Sequence, residues 1–257
     1  MGSALFDLSG RVAVVVGGSS GIGRTLALGL ADAGADVVAT ARRAELVDAV
    51  GAEIEKRGRR TLRVTSDVAD VGSLERVRDR CLEAFGRVDI MVCAAGVIKR
   101  VPTLDMDEAE WHRIMDTNVT GTFHACRVFG REMVARRSGR IINIASLTSF
   151  VAFYEVTAYT ASKSAVAGLT RALAIEWAAH NVTVNAIAPG VFRTELNTAL
   201  LDSPRGQELL TRTPMHRFGK VDELVGAAVF FASDASAFVT GQILSVDGGF
   251  LASGVNQ

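Results

Sequence analysis

Tyr159 and Lys163 stand four residues apart, Tyr159-x-x-x-Lys163, inside a run at 157–178 whose pattern is compatible with a helix. Positions i and i+4 of a helix share one face, so the phenol and the ammonium project together. A free phenol ionises near pH ~10. An adjacent ammonium favours the phenolate and is expected to lower that value, which suits a general acid or base working near neutral pH. A second constellation is Gly17-Gly18-Ser19-Ser20-Gly21-Ile22-Gly23, wedged between the apolar run 11–16 and a helical pattern over 22–33. Backbone N–H groups and the helix dipole at such a junction hold a pyrophosphate, and a Cβ on these glycines would block the turn or the phosphate. A tight strand-to-helix loop is the alternative reading. Its position after the first apolar strand favours the phosphate.

The elements that must carry these residues follow from the apolar pattern. Continuous β-branched stretches predict strands at 11–16, 37–41, 62–64, 90–93, 140–144, 182–186 and 242–246, with helical patterns between most of them. That alternation predicts an α/β fold: a doubly wound, mostly parallel, seven-stranded Rossmann-type sheet with helices on both faces. Ligands in such sheets bind beyond the carboxyl ends of the strands. Only four prolines occur and no linker or low-complexity tract interrupts the chain, so residues 1–257 are expected to form a single domain. The polar and helical patches around 191–219 suggest a mobile substrate lid.

Composition excludes several classes. Lys plus Arg and Asp plus Glu balance at 28 each, leaving no global field for nucleic acid or an anionic membrane. The longest charge-free stretches, such as 141–154, fall short of the ~20 apolar residues of a membrane span. Cys81, Cys93 and Cys126 show no metal or redox spacing and fit a reducing cytoplasm. His112, His124, His180 and His216 sit at no ligand spacing, so no metal is assigned.

The spacing of the glycine turn, taken with Tyr159-x-x-x-Lys163, resembles the short-chain dehydrogenase/reductase family, and the resemblance covers nearly the whole chain. It extends through Asp67, Cys93-Ala94-Ala95-Gly96, Asn118, Ser146, Pro189-Gly190 and Asp247-Gly248-Gly249. It implies that Asn118, Ser146, Tyr159 and Lys163 form the catalytic set. Ser146 would hydrogen-bond the reacting oxygen, Tyr159 would move its proton, Lys163 would bind the nicotinamide ribose, and Asn118 would support a proton relay to solvent. It implies further that the cofactor lies along Gly17, Ser19, Ser20, Gly21, Ile22, Gly23, Asp67, Val68, Ala94, Ala95, Gly96, Pro189, Gly190, Val191 and Thr194. Thr194 reads equally well as a helix N-cap. Two departures, Val16 for a usual Thr and Cys93-Ala94 for a usual Asn-Asn, are expected to touch support of the adenine side.

Where NAD-using relatives carry an Asp at the end of the second strand, this chain has Ala41, followed by Arg42 and Arg43. The missing acid and the two cations imply NADP(H) in preference to NAD(H), with Arg42 on the 2′-phosphate. A solvated arginine pair is the alternative. For the substrate, Lys99 and Arg100 place two cations near the nicotinamide end, and the tail 247–256 is similar to that of gluconate 5-dehydrogenases and their deoxygluconate relatives. Both suggest that a small carbonyl or alcohol substrate is a sugar acid, with Arg100 clamping its carboxylate. An exposed basic loop is the competing reading of 99–100. Rival activities are reduction of 3-oxoacyl thioesters, neutral sugars or hydrophobic ketones on the same fold, or a non-catalytic NADP(H)-binding regulator. The resemblance also implies a homotetramer, with helices near 119–136 and 157–178 and the apolar tail as interfaces.

Overall fold

In the computed structural model, which describes residues 4–193 and 201–254, the apolar runs assemble into one parallel sheet. Its strands are β1 (Val12–Val16), β2 (Asp36–Thr40), β3 (Ile90–Cys93), β4 (Gly139–Ile144), β5 (Val182–Pro189) and β6 (Ile243–Val246), in the order β2-β1-β3-β4-β5-β6. The chain winds outward from β1 in both directions, so the strand order reverses between β1 and β3. The crevice for a ligand opens there, beyond the strands' carboxyl ends.

The strands read as unbroken apolar runs because both faces are covered. Successive side chains alternate: Ala13, Val15, Ile90, Val92, Ile142 and Ile144 join one core, and Val14, Val16, Met91, Cys93 and Ile141 join the other. The first core is closed by α1 (Gly21–Asp32) and α8 (Val225–Ala232), through Leu26, Leu30, Ala228 and Phe231. The second is closed by α3 (Val71–Phe85) and α5 (Gly121–Arg136), through Leu74, Val77, Phe129 and Met133. The remaining α-helices among the described residues are α2 (Ala44–Lys56), α4 (Glu108–Met115), α6 (Thr157–Trp177) and α7 (Pro204–Thr211).

Six strands form among the described residues, not the seven expected. The run at 62–64 lies along β2 at the sheet edge without joining it. Backbone contact is confined to Val37 N–H to the Arg60 carbonyl (3.1 Å) and Ser66 N–H to the Ala41 carbonyl (3.1 Å). Between them the Thr40 hydroxyl donates to the Val64 carbonyl at 2.6 Å, taking a bond that a ladder would give to a backbone N–H. With two backbone bonds and this side-chain bond in place of a continuous ladder, the segment does not pair as a strand.

At the sheet's other end Asp89, 1 % exposed, accepts from Val12 N–H at 2.9 Å and is paired with Arg87 and Arg136. A buried carboxylate with every oxygen bonded anchors the end that carries no chemistry. No helix among the described residues is long and apolar enough to cross a membrane.

Candidate active site

The glycine turn follows β1 at the switch point. Gly17 adopts φ +79°, and a Cβ there would lie 2.5 Å from the Ala95 nitrogen, so only glycine lets the first turn pass the end of β3. A Cβ on Gly23 would collide with the Gly17 carbonyl. Gly17 and Gly18 spend their N–H groups on the Thr40 carbonyl, at 2.8 and 3.1 Å. Ser20 then precedes α1 in extended conformation without capping it. The opening N–H groups of α1, at Gly21, Ile22 and Gly23, have no intrahelical partner and lie beside a cradle that a Cβ would fill. These residues fit a dinucleotide pyrophosphate.

The neighbouring residues extend that groove. Arg42 and Arg43 are both exposed in the turn after β2, and the Arg43 guanidinium reaches the Ser20 hydroxyl at 3.4 Å. The cations therefore border the glycine turn itself. Asp67 is half-buried after the unpaired edge segment, with Oδ1 accepting from Ala69 N–H at 3.0 Å, and Val68 packs against Gly121 of α5. Ala94 continues the line by donating to the Val16 carbonyl at 2.8 Å, with Ala95 and Gly96 following. Across the crevice Pro189 ends β5, Gly190 N–H bonds the Val246 carbonyl at 2.8 Å, and Val191 accepts from Gly219 N–H at 2.9 Å. Thr194 lies outside the described residues.

The expected lid at 191–219 shows a closed base. Gly219 N–H donates to Val191, Arg193 N–H donates back to Gly219 at 3.1 Å, and a Cβ on Gly219 would strike the Phe192 ring. Residues 194–200 of this segment also lie outside the described part. Inside it, α7 sends Arg205 to the Tyr154 carbonyl at 2.9 Å, touching the stretch just before Tyr159. A cavity of about 170 Å³ opens at the base, lined by Val191, Phe192, Thr213, Met215 and Asp247 among others.

The four predicted catalytic residues come together at the carboxyl ends of β3 and β4. Ser146 sits two residues beyond β4, and its hydroxyl accepts from Thr148 N–H at 3.2 Å. Tyr159 and Lys163 share the first turns of α6, with Lys163 Nζ 5.7 Å from the Tyr159 ring centroid. Asn118 lies in a π-helical turn, Asp116–Thr120, between α4 and α5, a distortion that recurs at functional sites. It is fully buried, with Oδ1 accepting from Val97 N–H (2.8 Å) and Nδ2 donating to the Val97 carbonyl (2.9 Å) and the Ser162 hydroxyl (2.9 Å). Its backbone carbonyl accepts the Thr122 hydroxyl at 2.7 Å.

The electrostatics correct one expectation. Burial pushes the Tyr159 phenol above its ordinary value, and the opposing influence is the hydrogen bond to Ser146, not the ammonium. Lys163 is 4 % exposed and donates to the Ile144 carbonyl at 2.7 Å. Burial brings its ammonium down to about 8, opposed only by the Cys93 thiol. The spacing argument placed the cation correctly but omitted desolvation, which here outweighs it for both groups. Cys93 itself, buried at the end of β3, has its thiol pushed up by burial.

Of the substrate candidates, Lys99 is exposed, while Arg100 donates Nε to Glu155 at 2.6 Å. Glu155 takes a left-handed backbone, φ +65°, and its carbonyl accepts from Val101 N–H at 2.9 Å. Thr103 and Thr157 are joined by their hydroxyls at 2.6 Å. Glu155 and Ser162 escaped the sequence reading. A positive φ at a glutamate leaves no sequence signal, and a serine within a helix resembles any other.

Glycine cradle, buried Tyr–Lys pair and doubly wound parallel sheet define a dinucleotide-dependent oxidoreductase. The chain belongs to the short-chain dehydrogenase/reductase family: the adh_short_C2 model, described as enoyl-(acyl carrier protein) reductase, matches residues 16–251. It is 42% identical over 252 residues to 2-dehydro-3-deoxy-D-gluconate 5-dehydrogenase of Dickeya dadantii, covering 96% of this chain and 98% of that one. It is 42% identical over 253 residues to gluconate 5-dehydrogenase of Gluconobacter oxydans, covering 97% and 98%. A crystal structure of gluconate 5-dehydrogenase from Burkholderia cenocepacia, in complex with NADP and tartrate, superposes with a TM-score of 0.93 at 40% identity, covering 97% and 98%. The chain is therefore an enzyme, a short-chain alcohol dehydrogenase or ketoreductase, and the regulator reading is set aside.

Proposed function

We propose that this enzyme interconverts the secondary alcohol of a sugar acid, of the gluconate type, with the corresponding 5-keto acid, using NADP(H) in preference to NAD(H). The observation that carries the reading is the convergence of Ser146, Tyr159 and Lys163 beside the glycine turn, with Arg100 on the loop leaving β3. The dehydrogenase names of the relatives and the NADP held by one of them support the substrate class and the cofactor. So do Ala41, Arg42 and Arg43, which put cations where a carboxylate would repel a 2′-phosphate.

Bound along the groove, the nicotinamide supplies or accepts the hydride at the carbon of the reacting group. The chain's own residues handle the oxygen. In reduction Tyr159 gives its hydroxyl proton to the carbonyl oxygen as the C=O bond becomes C–O–H, and the phenolate regains a proton from solvent. Oxidation reverses each transfer. Ser146 hydrogen-bonds the same oxygen and fixes its distance from the reacting carbon. Lys163 holds the ribose and keeps a cation 5.7 Å from the tyrosine ring, and Asn118 links the pair towards solvent.

The rest of the reading is architectural. One domain spans the chain, with a lid at 191–219 whose base closes on Gly219. Phe123 on α5 and Ile175 on α6, 40% and 81% exposed, support a homotetramer formed through these helices. Three free, buried cysteines support a reducing cytoplasm.

The test is a spectrophotometric panel with NADPH against 5-ketogluconate, other keto-sugar acids, acetoacetyl thioesters and simple ketones. The expected result is the highest kcat/KM on a keto-sugar acid. A higher value on the thioester would replace the substrate class and leave the reaction type.

A further inference from the structure

Thr40, the last residue of β2, is fully buried and bonded on both sides. Its backbone carbonyl accepts Gly17 N–H at 2.8 Å and Gly18 N–H at 3.1 Å, which ties β2 to the glycine turn. Its hydroxyl lies 2.6 Å from the Val64 carbonyl and 2.9 Å from the Ser66 hydroxyl, which ties β2 to the edge segment leading into Asp67 and Val68. The polarity of these side-chain bonds is fixed by chemistry. A carbonyl only accepts, so the single Thr40 proton goes to Val64, and the buried Ser66 hydroxyl gives its own proton to Thr40.

Every residue type offers a carbonyl, whereas the hydroxyl belongs to this one. The edge segment depends on it because no ladder holds it to β2. Arg60 is bonded to Asp36 and Val37, at the end of β2 away from the groove. Asp67 N–H is bonded to the Ser73 hydroxyl at 2.9 Å, which holds the segment to α3 and not to the sheet. At the groove end one backbone bond remains, Ser66 N–H to the Ala41 carbonyl at 3.1 Å. A single bond fixes a distance and leaves the segment free to tilt about it. Thr40 adds contacts at Val64 and at the Ser66 side chain, and these remove the tilt.

We infer that Thr40 is a positioning residue for the adenosine half of the cofactor, whose hydroxyl sets the spacing between the Arg42 turn and the Asp67–Val68 stretch. Fully buried, Thr40 has no surface of its own to offer a ligand, so it acts through the residues it joins. The inference rests on the reading that NADP(H) lies along this groove with its 2′-phosphate at Arg42. Thr40→Val keeps the shape of the side chain and removes the hydroxyl. The Val64 carbonyl and the Ser66 hydroxyl then lose their partner, and the segment must shift or admit water to satisfy them.

The cofactor-free protein gives a readout independent of turnover. Adenosine 2′,5′-bisphosphate, which carries the adenosine and the 2′-phosphate without the nicotinamide, is titrated calorimetrically into wild type, Thr40→Val, Thr40→Ser and Ser66→Ala. The valine variant should bind it about fivefold more weakly or worse, the size of one lost buried hydrogen bond. In turnover its KM for NADPH should rise in parallel, while kcat at saturating cofactor and KM for a keto-sugar acid stay within about twofold. Thr40→Ser keeps the hydroxyl and should restore the affinity. Ser66→Ala should weaken binding too, and adding it to Thr40→Val should cost nothing further, because both remove the same bond. A folded valine variant with wild-type affinity would overturn the inference, as would a folded serine variant that binds like valine, or a valine variant that loses kcat at unchanged KM. Should Thr40→Val fail to fold, Ser66→Ala, which leaves the Thr40–Val64 bond in place, decides by the same titration. Wild-type protein that binds adenosine 5′-monophosphate as tightly as the bisphosphate would overturn the NADP(H) reading, while the variants compared on the monophosphate would still decide the role of Thr40.

Discussion

Lys163 Nζ is bonded to the Ile144 carbonyl at the end of β4, 2.7 Å away, while the Tyr159 ring centroid lies 5.7 Å from the same nitrogen. The cation is thus held by the sheet and merely offered to the tyrosine. Burial charges a cost for this arrangement. The fall of the ammonium from its ordinary 10.5 to about 8 corresponds to roughly 3 kcal/mol of lost stability.

That cost has a pH dependence. Below about 8 both folded and unfolded chains keep the proton, and the folded state bears the full penalty. Between about 8 and 10.5 the folded lysine loses its proton while the unfolded one keeps it, so the stability contributed by this group rises with pH. Lys163→Met should therefore unfold at higher urea than wild type at pH 7, by about 1–3 kcal/mol after the lost bond to Ile144 is counted, although it is inactive. The margin should shrink towards pH 10. A variant equally destabilised at both pH values would show that the ammonium is not strained by burial.

For Tyr159, removing the hydroxyl leaves the ring that packs over Lys163 in place. Tyr159→Phe should bind NADPH as wild type does, by fluorescence titration, and lose at least ~10²-fold in kcat. Because burial pushes the phenol up, wild-type alcohol oxidation, which needs the phenolate, should gain rate as pH rises. A Phe variant that keeps most of its turnover would remove Tyr159 from the proton path.

Arg43 reaches Ser20 in the phosphate turn while Arg42 stands exposed beside it, so the pair should divide the 2′-phosphate between them. Arg42→Ala with Arg43→Ala should lower kcat/KM for NADPH by roughly 10–100-fold and change that for NADH little. Added salt should raise the wild-type KM for NADPH, since the contact is open to solvent. Equal losses with both cofactors would assign the arginines to folding.

Most of this is legible in the sequence because it rests on patterns of single residues. The glycine turn, the apolar strands and the Tyr–Lys spacing each report a local rule, and each appears where that rule puts it. What the sequence hid were relationships between distant segments. The run at 62–64 has strand composition, yet it meets β2 through scattered bonds, one of them from the Thr40 side chain, and forms no ladder. The shift on Tyr159 depends on how completely α6 is covered, which spacing does not encode. Glu155 meets Arg100 only because the chain bends back at a positive φ, 55 residues away.

That last pair yields a prediction about the substrate. Arg100 carries a carboxylate already, on Nε, so any substrate carboxylate must use the rest of the guanidinium, oriented by Glu155. Arg100→Ala should then raise KM for a keto-sugar acid by about tenfold or more, as expected for a lost charge-assisted bond, and alter KM for a neutral ketone little. Glu155→Gln, which keeps the side-chain length but not the charge, should give a smaller rise on the acid alone. Glu155→Gly separates the two duties of this residue, since glycine accepts φ +65° without strain but cannot hold the arginine. It should leave the melting temperature unchanged or higher and still impair the acid substrate. Parallel losses on acid and neutral substrates in all three variants would return Lys99 and Arg100 to an exposed basic loop and shift carboxylate recognition to the lid.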